Sequence, residues 1–336
     1  MKVLLIGGTG IISSAITRLL VKRGFDTYIL NRGNRNGVLP EGVKVISCDI
    51  NNEAEATEKL KGMEFDAVCD FIGFVPSQLE RDFRLFNGKT KQFMYISSAS
   101  AYHKPVKHYE ITEGTTLANP YWEYSRNKIA CEEFLFKMYR ENGFPVTIIR
   151  PSHTYDERNV PLGVHGNGGS WQVLKRMMEG KPVIVHGDGT SLWTITWNED
   201  FAVAFVGLIG NPHAIGEAFH ITSDESVTWN QIYKAVADAL GVELKPYYVS
   251  SRLLADLSSY DFEGGLIGDK SNTVVFDNSK VKKAVPEFNA TMGAEEGIRI
   301  AVNHLLTHPE LQIADEEFDA WCDKVIEKLE NLKKEF

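Results

Sequence analysis

The sequence predicts an α/β fold, a doubly wound parallel sheet followed by a smaller α+β region. Through about residue 160, short apolar runs alternate with segments whose apolar residues recur at helical spacing. The runs are almost continuously apolar, which is typical of parallel strands that are buried on both faces. Beyond that point the alternation stops, and glycine-rich loops separate helical segments.

The first half is expected to hold six strands and four helices in largely alternating order, which places helices on both faces of one parallel sheet. The predicted strands are 2–7, 26–31, 43–49, 65–73, 91–98 and 145–152. The predicted helices are 14–25, 53–62, 77–88 and 123–143.

The second half is predicted to be mostly helical. Helices are expected at 170–180, 198–210, 228–241 and 316–332, and loops at 158–169, 186–193 and 261–273. The last helix carries an apolar stripe that should pack on its own domain: Phe318, Trp321, Cys322, Val325, Leu329 and Leu332. We therefore expect a dinucleotide-binding domain at 1–160 and a substrate-binding region at 161–336, with a segment near 190–215 returning to the first sheet.

The composition excludes several classes of protein. The 336 residues carry a net charge of −9, which disfavours nonspecific binding to nucleic acid or anionic membranes. No apolar run approaches the ~18–20 residues of a membrane span. The four cysteines lie far apart, so we expect reduced thiols in a cytoplasmic protein. No histidine, cysteine or carboxylate spacing indicates a metal site.

The first strand leads into a glycine-rich turn, "MKVLLIGGTGIISSAI". In a dinucleotide-binding loop the first glycine makes the tight turn, the second admits the pyrophosphate, and the third lets helix and strand pack closely. Gly7 and Gly10 can take the first two roles, and Ser13 stands at the third. A turn without a ligand would look similar, but this one ends a strand and opens a helix. The cofactor contacts predicted here are Gly7, Thr9, Gly10, Ile11 and Ile12.

The ends of the next strands indicate which dinucleotide is bound. The second strand ends in Asn31 and Arg32, with Arg35 nearby, where an acidic residue would bind a ribose hydroxyl and an arginine suits a 2′-phosphate. The prediction is NAD(P), with NADP favoured over NAD; the alternative is an exposed basic turn. Asp49 and Ile50 end the third strand beside the expected adenine site.

A serine-rich strand end precedes a helix that carries Tyr124 and Lys128. These two residues are four apart, so both side chains leave the same helix face. A nearby ammonium should lower the pKa of the tyrosine towards neutral pH, and a strand-end serine can orient a substrate hydroxyl or carbonyl. A lone Y-x-x-x-K pattern is common on helices; its place one loop after "YISSASAY" makes it specific.

These motifs, with "CDI", "IRPSHTY", "HGDGT" and "FDNSKVKKAVPEF", resemble the extended short-chain dehydrogenase/reductase family, the NAD-dependent epimerase/dehydratase group. The resemblance runs from residue 1 to about 300 and implies a Rossmann-type sheet. Within the group, the chain is most similar to the divergent branch of chloroplast stem-loop RNA-binding proteins and bacterial nucleoside-diphosphate-sugar epimerase-like proteins.

The resemblance implies roles for individual positions. Ser98 matches the catalytic Ser/Thr, Tyr124 the acid/base and Lys128 its partner. The nicotinamide and its surroundings are expected at Ile72, Ser97, Tyr124, Lys128, Pro151 and His153. Substrate contacts are expected at Ser98, Ser100, His153, Arg176 and Trp193.

The chain also departs from the family pattern. Dehydratases of the family carry Asp-Glu after the Ser/Thr, and here Ala99 and Ser100 stand there, so a dehydratase is not expected. Sugar-nucleotide enzymes usually place a diphosphate-binding arginine after "GDGTS", and here the candidate is Trp193. Arg176 could substitute for that arginine, or could be a solvated helix residue.

The expected function is an NAD(P)-dependent epimerase acting on a secondary hydroxyl, in particular of a nucleotide sugar. One alternative is an NAD(P)H-dependent reductase of a non-nucleotide carbonyl substrate. The other is a non-enzymatic RNA-binding or regulatory protein of the same fold, which the net charge and the retained Ser, Tyr and Lys disfavour. Helices at 78–86 and 123–139 resemble those with which the family forms two-fold dimers, so we expect a homodimer.

Overall fold

The computed structural model describes residues 1–33 and 39–336, so Arg35 lies outside the described part. In chain order, the described strands are β1 (Lys2–Ile6), β2 (Asp26–Asn31), β3 (Lys44–Ser47), β4 (Ala67–Asp70), β5 (Phe93–Ile96), β6 (Glu110–Ile111), β7 (Val146–Pro151), β8 (His153–Tyr155), β9 (Val183–His186), β10 (Leu192–Trp193), β11 (Ile195–Trp197), β12 (Glu217–Ile221), β13 (Val227–Thr228), β14 (Pro246–Val249) and β15 (Val275–Phe276). The described α-helices are α1 (Ile11–Lys22), α2 (Glu53–Lys59), α3 (Pro76–Phe86), α4 (Glu123–Asn142), α5 (Trp171–Met178), α6 (Asn198–Leu208), α7 (Trp229–Leu240), α8 (Ser251–Leu257), α9 (Ser279–Ala284), α10 (Ala294–Thr307) and α11 (Glu316–Lys333).

A seven-stranded parallel sheet forms the centre of the fold, in the order β12-β7-β5-β4-β1-β2-β3. Because all these strands run the same way, their carboxyl ends meet at one edge. In the register Ile6 lies beside Asp70 and Asp70 beside Tyr95. The strand order changes direction at β1, because β2 and β3 follow on one side of it and β4 and β5 on the other. In α/β proteins such a change of order opens a crevice at the carboxyl edge, where ligands commonly bind. The predicted doubly wound sheet is confirmed.

Both faces of the sheet are covered by helices. Along β1, Leu4 packs with residues of α2, α3 and α4, and Leu5 packs with residues of α1 and α6. The alternation follows from the two-residue period of a strand. Helix α6 therefore lies on the sheet beside α1. The division into two domains, with a segment near 190–215 returning to the first, stays a prediction.

All six strands predicted in the first half lie in the sheet, but the sheet has a seventh strand, from the second half, that was not predicted. The seventh, β12, forms from "EAFHI" and pairs with β7 at the edge of the sheet. The apolar run is short and lies in the region where the alternation of strands and helices has stopped. Pairing with β7 along its whole length, with Phe219 beside Ile149 at the centre, makes it part of the sheet.

The second half builds its own core from α5, α7, α10, α11 and several two-stranded sheets. The stripe on α11 packs into that core through Phe318, Cys322 and Val325, with Trp321 and Leu329 partly buried against it. Leu332, predicted to belong to the stripe, is 50% exposed, because the helix runs past the core before it ends. Across the described residues no helix is long and apolar enough to cross a membrane.

The expected loop at 261–273 is wrong in its central part, because Glu263–Lys270 forms a π-helix. Two of its glycines allow close packing: a Cβ at Gly264 would collide with the Trp122 ring, and one at Gly268 would come within 3.2 Å of Trp122. After it, Ser271 donates its hydroxyl hydrogen to the Leu266 carbonyl at 2.8 Å, and the Asn272 amide donates to the Ile267 carbonyl at 2.9 Å.

Candidate active site

The glycine loop joins β1 to α1 at the carboxyl edge of the sheet. Gly7 and Gly8 have φ values of +111° and +80°, which side-chain-bearing residues rarely adopt. Gly10 is exposed and precedes the first turn of α1, with Thr9 half-buried beside it. The first amides of a helix, here those of Ile11 and Ile12, have no intrahelical acceptor and attract anions. The geometry therefore offers a place for a pyrophosphate.

Ser13 closes this loop on its own helix. Its buried hydroxyl accepts a hydrogen bond from the Gly10 amide at 2.9 Å. Thr17 donates its hydroxyl hydrogen to the Gly8 carbonyl at 3.0 Å and to the Ser13 carbonyl at 2.8 Å. The residue in place of the expected glycine is thus small enough to pack and also satisfies a backbone donor.

The residues predicted to contact the adenosine half lie at the same edge. Asn31 ends β2 and accepts a hydrogen bond from the Gly33 amide at 2.8 Å, and Arg32 is exposed. Asp49 is half-buried and accepts from the Asn51 amide at 3.0 Å. Ile50 is buried in the core beneath.

Lys128 projects from α4 to the ends of two central strands. Its ammonium nitrogen donates to the carbonyls of Gly73 and Ile96, each at 2.7 Å. The side chain is 1% exposed, and burial lowers its pKa to about 8. An ammonium has three donors, so one is left for a ligand beyond these two carbonyls.

The loop that supplies the Gly73 carbonyl is held by a buried carboxylate. Asp70 accepts hydrogen bonds from the amides of Ile72 and Gly73 at 2.8 Å and 3.1 Å. Burial raises the pKa of Asp70 and of its neighbour Asp82. Ile72 itself is exposed and stands close to Gly7, where a Cβ would come within 3.2 Å of its methyl group. Ile72 therefore lies next to the glycine turn, as predicted for a cofactor contact.

Three serine hydroxyls form a chain beside Tyr124. Ser98 lies 2.8 Å from Ser100, and Ser100 lies 2.7 Å from Ser125, measured between hydroxyl oxygens. The Ser100 amide also donates to the Ser98 hydroxyl at 3.1 Å. These bonds orient Ser98 with little freedom to rotate away from its position at the end of β5.

Tyr124 differs from expectation in its ionisation. Burial raises the pKa of Tyr124, and a hydrogen bond with the Ser98 hydroxyl opposes this effect only in part. The expectation that Lys128 lowers the pKa of Tyr124 is wrong for this structure. Lys128 directs its donors at two carbonyls, and its nitrogen lies 5.7 Å from the centre of the Tyr124 ring. At neutral pH the phenol is therefore protonated.

Ser97, predicted to contact the cofactor, uses its hydroxyl elsewhere. The buried hydroxyl donates to the Glu132 carboxylate at 2.5 Å, and Glu132 is also paired with Arg150 at 2.6 Å. This buried network ties β5 to α4 and β7. A contact through the Ser97 side chain is thus excluded by its burial, and the residue acts on the site only by holding these elements together.

A cavity of about 250 Å³ lies in front of Ser98 and Tyr124. It brings together six of the predicted residues: Ser98, Ser100, Tyr124, Pro151, His153 and Trp193. The Trp193 indole donates to the His153 ring nitrogen at 3.3 Å. Burial lowers the pKa of His153 to about 3, so its ring is neutral above that pH.

Several residues of the cavity were not predicted. Lys104 follows the serine-rich strand end, and Asp269 and Lys270 end the π-helix. Asn119 holds this helix against the site by donating to the carbonyls of Ser100 and Gly268 at 2.8 Å and 2.7 Å. The glycine-rich stretch at 261–273 is visible in the sequence. Because it lies far along the chain from Ser98 and Tyr124, the sequence did not indicate that it lines their cavity. The remaining lining residues are Ala99, Trp122, Ser152, Thr194, Val274 and Phe276.

The prediction that Arg176 contacts the substrate is wrong. Arg176 does not line the cavity; it is 1% exposed and bonded to Asp319 and Asp323 of α11, each at 2.7 Å, and to the Pro182 carbonyl. The alternative of a solvated helix residue is wrong as well, because the guanidinium joins α5 to α11 in the interior. In the described residues no group of three or more His, Cys, Asp or Glu side chains could hold a metal ion.

Known proteins resemble the chain along most of its length. It is 24% identical over 303 residues to a 2′-dehydrokanamycin reductase from Streptomyces kanamyceticus, covering 90% of this chain and 84% of the relative. It is 26% identical over 256 residues to the chloroplast stem-loop binding protein of 41 kDa b of Arabidopsis thaliana, covering 71% and 63%.

Among solved structures, the UDP-glucuronic acid 4-epimerase from Bacillus cereus in complex with UDP-glucuronic acid and NAD shares the fold. The TM-score is 0.73 at 19% identity, covering 91% of this chain and 99% of that one. Residues 3–222 match the profile of the NAD-dependent epimerase/dehydratase family. Together with the sheet, the glycine loop and the Ser98–Tyr124–Lys128 set, this match shows that the chain belongs to the NAD-dependent epimerase/dehydratase family.

Proposed function

We propose that this protein is an NAD(P)-dependent epimerase acting on a secondary hydroxyl of a sugar, with a nucleotide sugar as the first substrate class to test. One observation carries the proposal: Ser98 and Tyr124 face one cavity at the carboxyl edge of the sheet, with Lys128 beside them. The glycine loop after β1 lies at the same edge, with β4 between it and the strand that leads to Ser98. Relatives named UDP-glucose 4-epimerases support the substrate class.

The residues present suit a dinucleotide. Gly10 is exposed and has no side chain, so a pyrophosphate can approach the backbone there and meet the first amides of α1. Lys128 keeps one donor for a ribose hydroxyl. When bound, the nicotinamide would accept a hydride from the substrate carbon and return it.

The chain's own residues would handle the proton and the orientation of the substrate. The Tyr124 oxygen, as a phenolate, would take the proton of the substrate hydroxyl as hydride leaves the carbon, and give it back on the return. The phenol, which is protonated here, would first have to release its own proton. The Ser98 hydroxyl, which the chain of serines holds in place, would form a hydrogen bond with the same substrate oxygen. An epimerase would also allow the keto form of the substrate to rotate in the cavity, so that hydride returns to the opposite face of the carbon.

The first experiment is to denature the purified protein and to identify any released dinucleotide by mass. Retained NAD or NADP supports the epimerase, because an epimerase regenerates its cofactor in each turnover. The protein is then incubated with UDP-glucose and with UDP-glucuronic acid, and NMR follows the change at the sugar carbons. Failure to bind NAD(H) and NADP(H) in a fluorescence titration would overturn the proposal and favour a regulatory or RNA-binding role.

A net reductase of a non-nucleotide carbonyl compound is the second candidate. The protonated state of Tyr124 favours it, because a phenol can donate a proton to the oxygen of a carbonyl as hydride arrives. Trp193 in place of a diphosphate-binding arginine also favours it, as does the relative named a reductase. Stoichiometric loss of NADPH absorbance with a ketone substrate, without epimer formation, would select this candidate.

Four further properties belong to the proposal. We expect NADP over NAD because of Arg32, and no dehydratase activity because Ala99 and Ser100 replace the carboxylate pair.

We expect a homodimer through α3 and α4, which pack together; light scattering that reports the mass of one chain would contradict it. A cytoplasmic location is supported by four buried, unpaired cysteines and is checked by cell fractionation.

A further inference from the structure

The cavity beside Tyr124 contains a lysine for which the described part of the chain supplies no direct partner. Lys104 lines the cavity and is 2% exposed. Within residues 1–33 and 39–336, its ammonium group makes no hydrogen bond and no ion pair, and Asp269 attracts it only at longer range. Burying an ammonium without a partner is costly, which lowers the pKa of Lys104. A group that remains unpaired at such a cost in a candidate active site points to a ligand.

The groups around Lys104 define what that ligand would be. Lys270 and Asp269 line the same cavity, and Asp269 acts electrostatically on both Lys104 and Tyr124. His153 is neutral, so two lysines against one carboxylate give the cavity an excess of positive charge when they are ionised. Trp193, which stands where an arginine was expected, lines this cavity too. The positive charge is therefore present, but it comes from other segments of the chain.

Resting on the proposed function, we propose that Lys104 binds an anionic group of the substrate, a carboxylate or a phosphate. Asp269 then accepts hydrogen bonds from hydroxyls near the reacting carbon. The substrate of the proposed function would then carry a negative charge, and Lys104 would bind that charge.

The size and shape of the cavity agree with a single sugar unit. Its volume of about 250 Å³ lies just below the ~300–1,000 Å³ usual for small-molecule sites. The rings of Trp122, Trp193 and Phe276 supply apolar surface for the carbon–hydrogen face of a sugar. A lysine is a compact point charge that needs no bidentate geometry, so it suits a terminal carboxylate or phosphate as well as a diphosphate.

The test measures binding by isothermal titration calorimetry to the protein loaded with NADP or NAD, whichever it binds more tightly. The probes are D-glucuronate, D-glucose 6-phosphate, UDP and neutral D-glucose. Wild type is compared with Lys104→Met and with the matched control Lys107→Met, an exposed lysine three residues further along. Asp269→Asn is the fourth protein. NADH and NADPH titrations of each protein come first, so that cofactor binding is known independently.

We expect at least one anionic probe to bind the wild type at least tenfold more tightly than D-glucose. Lys104→Met should weaken that probe about tenfold or more, because a hydrogen bond to a charged group is lost. Lys107→Met should leave it unchanged, and Asp269→Asn should weaken the sugar probes severalfold. The preferred probe identifies the source of the charge as a carboxylate, a monophosphate or a diphosphate.

Three results would overturn the inference: equal binding of the anion by Lys104→Met and wild type, equal binding of D-glucose and the anions, or no binding of any anion at millimolar concentration. Each of these leaves the proposed function standing if NAD(H) or NADP(H) still binds. Loss of dinucleotide binding in the wild type is the separate failure of the proposed function. If Lys104→Met does not fold, Lys104→Gln replaces it.

Discussion

The hydroxyl of Ser13 accepts a hydrogen bond from the amide of Gly10 at 2.9 Å, across the three-residue step between loop and helix. The position that usually holds a glycine for packing therefore holds a residue that also caps the loop. In Ser13→Ala the Gly10 amide loses this acceptor, which should cost about 1 kcal/mol of unfolding free energy. NADPH should bind severalfold more weakly, because the loop is less firmly held.

Urea unfolding and NADPH titration check both effects. Ser13→Gly is the matched control for packing, since it removes the hydroxyl and restores the usual glycine. An unchanged Ser13→Ala, in stability and in NADPH affinity, would show that the bond contributes nothing to the loop.

Tyr124→Phe should abolish proton transfer while leaving the fold and cofactor binding intact. We expect turnover of any substrate found to fall at least a hundredfold, within the range usual for loss of a general acid/base. Steady-state kinetics measures it, with Tyr139→Phe as control on an exposed part of the same helix. Turnover within a few-fold of wild type would remove Tyr124 from the mechanism.

Lys128 should make stability depend on pH at the alkaline end. Its pKa is about 8 in the folded protein and 10.5 when unfolded. The folded state therefore binds fewer protons between these values, so stability rises with pH in that window. The unfolding free energy of wild type, relative to Lys128→Met, should rise by about 3 kcal/mol from pH 8 to pH 10.5.

Urea unfolding of the cofactor-free proteins at several pH values in this window gives the difference directly. Lys128→Met also loses the two hydrogen bonds to carbonyls. Any part of that loss of unfolding free energy that does not vary with pH leaves the slope of the difference against pH unchanged. A difference that stays constant with pH would contradict the lowered pKa.

Arg32 should determine the choice of dinucleotide. It is exposed at the end of β2, where a 2′-phosphate would lie. Arg32→Ala should weaken NADPH about tenfold and leave NADH almost unchanged, because only the phosphate contact is lost. Fluorescence titration with both cofactors measures the ratio of the two affinities. The control is Arg23→Ala, which removes an exposed arginine that precedes β2. Parallel losses for both cofactors would rule out recognition of the phosphate.

Arg176 should matter for stability and not for substrate. Arg176→Met removes the bonds from α5 to Asp319 and Asp323, at a cost of about 2–3 kcal/mol. The neighbouring Lys175→Met, which loses only an exposed pair with Glu179, should cost less than about 0.5 kcal/mol. Thermal and urea unfolding compare the two variants. Weaker binding of D-glucuronate or UDP to a fully stable Arg176→Met would restore its role at the substrate.

Much of the first half of the chain was predictable because its signals are local. The glycine loop, the strand rhythm and the spacing of Tyr124 from Lys128 depend on residues close in sequence, and parallel strands bring their ends to one edge. Strand β12 was missed because its five residues include only three apolar ones, and such a short segment does not indicate a strand until β7 offers it an edge. The π-helix was missed because glycine permits both a loop and close packing against Trp122.

The sequence by itself determined the fold class, the glycine loop and the Tyr124–Lys128 pair, since each follows from side-chain periodicity or from spacing within one element. The choice of Ser98 came from the family resemblance. Only the tertiary structure decided which charges share the cavity. Lys104 and Asp269 are far apart in sequence, and the packing of the π-helix against Asn119 and Trp122 brings Asp269 into the cavity that Lys104 lines. It also decided that Arg176 is buried and that Tyr124 holds its proton, because burial and the direction of a donor are properties of packing.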